Sequence, residues 1–154
     1  MNRSDRTIRV RETPRVPLDG LLLGWGAMVP FPLLAAVCWW GGAWAGTAAV
    51  AAQLWGGALL LFFAGVRRGL SFRTEGGPRL RQLIVFALLF CTGLFVLILP
   101  VATALVVVAG ALAALALEDV GAATRGEAPL YFRRLRPAQM TFAVASVLLC
   151  WWAV

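Results

Sequence analysis

The sequence predicts an all-α membrane protein, a bundle of five transmembrane helices with its N-terminus cytoplasmic and its C-terminus periplasmic. The chain of 154 residues is 61% hydrophobic and only 14% charged, whereas soluble domains are about 45–50% apolar and about 25% charged. The apolar residues form runs of membrane-crossing length. The 14 basic residues are all arginines, and they are confined to three short polar segments between these runs.

The first helix follows a polar tail, residues 1–19, which contains five arginines and two helix-breaking prolines. The first apolar run, at about 20–40, is long enough to cross a hydrocarbon core of about 30 Å at about 1.5 Å per residue. A cleaved signal peptide has a shorter apolar region of about 7–15 residues and a small-residue cleavage site. Because this run is longer and ends in Trp39 and Trp40, we expect an uncleaved helix.

The next three helices follow from one apolar run and one longer uncharged stretch. The second helix is predicted at about 45–66, and an arginine-rich segment separates it from uncharged residues that continue to Leu117. That stretch of about 35 residues is too long for one crossing. Pro100 favours a turn in its middle, because proline lacks an N–H and restricts the residue before it. We therefore predict a hairpin of helices at about 83–99 and 100–117.

The fifth helix is predicted at about 138–154, and the arginines orient all five. The polar tail has five arginines, the segment between the second and third helices has five, and the segment between the fourth and fifth has four. Positively charged short segments stay in the cytoplasm. Tryptophans typical of an interfacial belt fall at the opposite helix ends: Trp39, Trp40, Trp44, Trp151 and Trp152.

Gln53 is the one large polar side chain near the middle of a predicted span. We expect its amide to bond to a neighbouring helix, and a ligand or quinone contact is the alternative. Beside it, Trp55, Gly56 and Gly57 form a bare patch next to an aromatic ring, which suits close packing by a helix or by a bound ring. Two further glycine pairs have the small-xxx-small spacing of helix interfaces: Gly42 with Gly46, and Gly65 with Gly69.

Charged residues end two predicted helices at the same cytoplasmic face. Arg67 and Arg68 end the second helix, and Glu118 and Asp119 end the fourth. These four residues either form an ion-pair cluster or stand as independent solvated charges. Paired carboxylates can also serve acid–base chemistry. Because the chain has no histidine and no metal-ligand spacing, we predict no catalytic, cofactor or metal site and no enzymatic activity.

The segment before the fifth helix mixes arginines with apolar residues between two prolines, at 129–137. It predicts a short helical turn on the membrane surface, with Arg133, Arg134 and Arg136 directed toward lipid phosphates.

The three cysteines lie in apolar runs, and none has a ligand spacing. Buried free thiols are the expectation for Cys38, Cys91 and Cys150. A disulfide between Cys38 and Cys150 is open, because both lie near the predicted outer face.

Three stretches resemble a known family: Gly26–Phe31, Ala64–Gly69 and Pro129–Arg136. Together with five helices in about 150 residues, they resemble the transmembrane protein 69 family, a domain of unknown function in bacteria and mitochondria. The likeness runs from about Pro14 to the end of the chain. Ala64 and Arg68 stand where the family motif has glycine and tryptophan. The resemblance implies a five-helix fold in an energy-coupling membrane and implies no activity.

These patterns favour a non-catalytic accessory subunit or assembly factor of a larger respiratory or photosynthetic membrane complex. The expected partners are membrane lipids and other integral membrane subunits. Nucleic acid is not expected, because the arginines form no folded basic face. The alternative is a lipid or quinone binder or carrier, lined by Gln53, Trp55 and the pair Arg67 and Arg68. The expected location is a bacterial inner membrane, with the mitochondrial inner membrane as the alternative.

Overall fold

The computed structural model describes residues 18–74 and 76–154, except for the side chain of Asp19, and this part of the chain is all helical. The helices are α1 (Leu18–Gly26), α2 (Pro30–Trp40), α3 (Ala45–Ser71), α4 (Leu80–Val96), α5 (Val101–Thr124) and α6 (Phe132–Trp152), with a 3₁₀ turn at Gly42–Trp44. A turn at 27–29 divides the predicted first helix into α1 and α2, so the six α-helices of the described residues make five helical stretches. Of the predicted polar tail, residues 1–17 lie outside the described residues.

Three of the described helical stretches are long and apolar enough to cross a membrane. They are Gly20–Trp40, Gly42–Ser71 and Val101–Thr124, and Leu80–Val96 is a shorter apolar helix. The outward surface of the helices is itself apolar, with large exposed side chains such as Trp40, Leu88 and Leu117. Soluble proteins rarely expose apolar surface on this scale. The prediction of a helical protein compatible with a membrane is therefore confirmed at this level.

Several helices continue past the predicted spans at the arginine-rich end. α3 continues to Ser71, α4 begins at Leu80, α5 continues to Thr124 and α6 begins at Phe132. The predicted bounds follow hydropathy, which shows only where the apolar side chains end. The helical backbone hydrogen bonds continue beyond that point, through the charged residues. Arg67, Glu118 and Asp119 consequently project from regular helix, and this fixes their directions relative to one another.

The surface turn predicted at 129–137 is not a separate element. Helix α6 begins at Phe132 and continues through Pro137, which lies inside it. The N-terminal turn is stabilised because Phe132 is buried and packs against Ala122, Ala123 and Ala128. The segment is therefore the start of α6, and its apolar side chains are not all directed to lipid.

Helix α3 is central, and glycines bring it close to its neighbours. It packs against α2, α4 and α5, while α6 packs against α5 and α2. A β-carbon added at Gly93 of α4 would lie 3.1 Å from the carbonyl oxygen of Gly57 on α3, and one added at Gly56 would lie 2.7 Å from Val108 of α5. Glycine at these positions permits the close helix contacts that membrane bundles use.

The tryptophan-rich end joins α2 to α6. Trp39 of α2 donates its indole N–H to the carbonyl oxygen of Leu149 on α6 over 2.9 Å. Beside this bond, the buried Cys38 and Cys150 lie next to each other, with their Cα atoms 5.6 Å apart. Cys91 on α4 is a free thiol and is exposed on the helix surface, so the expectation that it is buried is wrong. Its position on α4 turns it outward from the helix contacts.

Candidate functional site: an arginine–carboxylate network

Asp119 is at the centre of a charged network between three helices. Its carboxylate, only 1% exposed, lies on α5. Its Oδ1 is 3.3 Å from Nη1 of Arg67 on α3, and its Oδ2 is 3.4 Å from Nε of Arg136 on α6. Removing an ionised carboxylate from water costs several kcal/mol unless it is paired. Two guanidinium groups pair with it here, while Oδ1 accepts no hydrogen bond from the described residues.

Glu118, the preceding residue, accepts hydrogen bonds from three arginines. Nη2 of Arg67 donates over 2.8 Å, Nη2 of Arg125 over 2.7 Å and Nη2 of Arg81 over 2.6 Å. Arg67 therefore bridges Glu118 and Asp119 from α3, while Arg81 binds Glu118 from the start of α4. Because guanidinium groups present several donors in a fixed fork, one arginine can hold two neighbouring carboxylates at once.

Glu127, in the connection after α5, extends the network outward. Its carboxylate accepts from Arg79 over 3.3 Å and from Nε of Arg125 over 3.1 Å. Arg125 links this outer part to Glu118. Within the described residues the network therefore connects α3, α4, α5 and α6 at a single end of the bundle.

Arg136 lies inside the protein between two aromatic rings. Its guanidinium carbon is 4.6 Å from the centre of the Phe63 ring and 4.4 Å from that of Phe132. Cation–π contacts of this kind strengthen when they are desolvated. The prediction that Arg136 is directed toward lipid phosphates is therefore wrong. It follows Phe132 by four residues on one helix face, and that face points to Asp119.

The other predicted arginines lie outside the network. Arg68 donates to Ser71 Oγ over 3.0 Å, and its guanidinium lies over the Phe72 ring at 4.0 Å. Arg133 and Arg134 are exposed at the start of α6. Among the residues that the structure describes, none of these three has a carboxylate partner. Their contact with lipid phosphates stays a prediction.

Gln53 completes the hydrogen bonding at the end of α4, as expected for an amide between helices. Its Nε2 donates to the carbonyl oxygens of Val96 over 2.7 Å and of Leu99 over 2.9 Å. Pro100 has no N–H to offer Val96, and an unsatisfied carbonyl within a membrane is costly. The amide therefore replaces a missing backbone donor.

Trp55 has the same role at the turn between α1 and α2. Its indole N–H donates over 3.0 Å to the carbonyl oxygen of Ala27. The regular helical donor to this oxygen, the N–H of Phe31, binds Met28 instead. Trp55 and Gln53 thus both donate hydrogen bonds to backbone carbonyl oxygens near a proline that lack their regular helical donor.

Several polar residues of this region were not singled out by the sequence. Four residues of the network were missed: Arg79, Arg81, Arg125 and Glu127. They lie at helix ends near residues of opposite charge, and this pattern in the sequence could have indicated ion pairs. Gln139 on α6 is fully buried, and its amide has no hydrogen-bond partner among the described residues. An amide side chain in a largely apolar helix is the sequence feature that could have indicated this residue.

Each carboxylate of the network lies within 3.4 Å of at least one arginine nitrogen. No cluster of three or more potential metal ligands is present among the described residues. Comparisons with protein-family models, curated proteins and solved structures give no match. The resemblance to the transmembrane protein 69 family therefore stays a prediction.

Proposed function

We propose that the chain is a non-catalytic membrane protein that acts as an accessory subunit or assembly factor by packing against other membrane subunits. The observation that carries this proposal is an unused glycine pair on α3. Gly65 and Gly69 face outward, and a β-carbon at either position would meet no atom of the described chain within 4 Å. Small residues with this spacing permit close contact between membrane helices.

The difference between inner and outer glycines supports this proposal. Gly56, Gly57 and Gly93 are occupied by contacts within the bundle. Gly65 and Gly69 have the same chemistry but no contact within the described chain. A second helix, from another subunit, is the occupant that fits such a surface.

The polar groups of the described residues also support a structural role. Asp119 and Glu118 hold arginines from neighbouring helices, and Gln53 holds backbone carbonyls at the end of α4. These groups fix helices to one another. Because the donors of Gln53 and Trp55 are already used, they are poorly placed to bind a quinone or lipid, and this weighs against the alternative of a small-molecule carrier.

The proposal includes five membrane crossings, with the arginine-rich end cytoplasmic. Helix α6 contacts the network through Arg136 at one end and α2 through Cys150 at the other, so it extends along most of the bundle. Helix α4, at 17 residues, is about 26 Å long, close to the hydrocarbon thickness. Positive charge on one side favours the cytoplasmic assignment. We propose a bacterial inner membrane, with a mitochondrial inner membrane as the alternative.

Extraction in gentle detergent tests the proposed role. The tagged protein is expected to migrate on a native gel as a larger particle with stoichiometric companions, identified by mass spectrometry. Changing both Gly65 and Gly69 to leucine is expected to reduce the recovered companions about tenfold. This change in affinity corresponds to a loss of about 1.4 kcal/mol in binding free energy. Leucine at both sites would hold the two helices apart.

The matched control is Gly110→Leu on α5, which is also exposed and meets no atom within 4 Å. This variant is expected to keep the companions. A wild-type protein that migrates alone as a small particle contradicts the proposal. Retention of every companion by the double variant contradicts the assignment of the glycine surface.

A further inference from the structure

Two cysteines far apart in sequence meet at the tryptophan-rich end of the bundle. Cys38 lies near the end of α2 and Cys150 near the end of α6, and they are 112 residues apart. Their Cα atoms are 5.6 Å apart, within the range of about 4.4–6.8 Å typical of disulfides. The side chains are only 4% and 1% exposed. The pair is therefore enclosed in the contact between the two helices.

The surroundings of this pair separate it from the charged network. Two polar contacts lie here: Sγ of Cys38 is 3.8 Å from the carbonyl oxygen of Ala45, and the Trp39 indole N–H donates to the carbonyl oxygen of Leu149. The ion pairs of the described residues lie at the opposite end of α6, where Arg136 meets Asp119. The two helix ends that meet here carry no charged side chain, as the sequence Val37–Ala43 and Leu148–Val154 shows.

We propose that Cys38 and Cys150 form a structural disulfide, made in an oxidising compartment on the tryptophan-rich side of the membrane. Disulfides persist in such compartments and are rare in the cytosol. The bond itself does not depend on the proposed function. The choice of compartment rests on the topology that belongs to that proposal, which places the arginine-rich end in the cytoplasm.

The chemistry requires a disulfide-bearing oxidant, the active disulfide of a thiol–disulfide exchange protein. The thiolate of one cysteine attacks a sulfur of that disulfide, giving a mixed disulfide and releasing one oxidant thiolate. The second cysteine loses its proton and attacks the mixed disulfide at the sulfur of the first, releasing the other oxidant thiolate. The chain loses two protons and two electrons, and the oxidant gains them as two thiols.

Burial sets the order of events. Because both sulfurs are enclosed once α2 and α6 are packed, an exchange protein reaches them before packing is complete. Afterwards a reductant added from outside does not reach the bond, since exchange requires access to a sulfur. The disulfide is therefore expected to resist reduction in the folded protein and to be reduced after denaturation.

Counting free thiols by mass tests this proposal. Membranes are quenched in acid, denatured, and treated with a maleimide–polyethylene glycol reagent with or without prior reduction. We expect one adduct per chain without reduction, at Cys91, and three with reduction. Cys91→Ser is expected to give no adduct without reduction and two with it. Cys38→Ser is expected to leave Cys150 as a free thiol, so Cys91 and Cys150 give two adducts under both conditions.

Three adducts without reduction would overturn the bond, and so would a disulfide-linked dimer of the Cys91→Ser variant on a non-reducing gel. Dithiothreitol added during synthesis is expected to raise the count to three, whereas the same reagent added after folding is expected to leave it at one. Cells that lack the extracytoplasmic thiol oxidant are expected to yield three adducts. A count of one in those cells contradicts the compartment. Because these counts do not depend on companion subunits, their failure is distinct from failure of the proposed function.

Discussion

Replacing Asp119 by asparagine is expected to lower the free energy of unfolding by about 3–5 kcal/mol, the usual cost of breaking a buried ion pair. The amide keeps the shape of the carboxylate but removes its charge. Arg67 retains Glu118 as a partner, whereas Arg136 is left between Phe63 and Phe132 without a counter-ion. The loss is therefore expected to come mainly from Arg136. Unfolding of the purified protein in mixed detergent micelles measures it.

Two variants make this measurement specific. Arg134→Gln changes an exposed arginine and is expected to stay within about 0.5 kcal/mol of wild type, as surface changes usually do. Asp119→Leu combined with Arg136→Met is expected to recover much of the loss, because well-packed apolar replacements of a whole buried pair are often neutral. If Asp119→Asn is no more destabilising than Arg134→Gln, the network does not hold the helices together.

Replacing Gly93 by valine is expected to lower the free energy of unfolding by about 1–3 kcal/mol, the usual cost of overpacking. A β-carbon at this position would lie 2.9 Å from Cγ of Leu61 and 3.1 Å from the carbonyl oxygen of Gly57. A backbone oxygen cannot be moved without shifting α3, so the two helices must separate. The same unfolding measurement reports this effect.

Gly110→Val is the matched control for that substitution. It makes the same chemical change on a helix, but a β-carbon at Gly110 would meet no atom within 4 Å. The control is expected to unfold close to wild type. Equal destabilisation by the two changes would mean that the cost comes from valine itself and not from the contact between α3 and α4.

The sequence was sufficient to place the apolar part of each helix, because hydrophobicity acts along the chain. It did not show that the helices continue into the charged segments or that a turn interrupts the first of them. The turn at Pro100 was recognisable since proline has a local chemical effect, and α4 and α5 meet there. A hydrogen bond from Gln53 to another helix was predictable for a similar reason, because an isolated amide among apolar residues needs a partner. Its acceptors, near the same proline, required the structure.

The charged network was only partly predictable, because it depends on how helix faces turn toward one another. The sequence placed Arg67, Glu118 and Asp119 at one end of the bundle. It did not show that α6 begins early enough to bring Arg136 inward against Asp119. Nor can spacing pair Cys38 with Cys150 across 112 residues, since only the contact between α2 and α6 brings them together.

The location of the two chain ends tests the central claim, five crossings with the arginine-rich end in the cytoplasm, most directly. Short epitope tags are placed before residue 1 and after residue 154, and intact spheroplasts are treated with an impermeant protease. The proposal predicts that the C-terminal tag is removed, while the N-terminal tag is removed only after the membrane is opened. Loss of both tags, or protection of both, would mean an even number of crossings and would contradict it. Removal of the N-terminal tag alone would contradict the orientation.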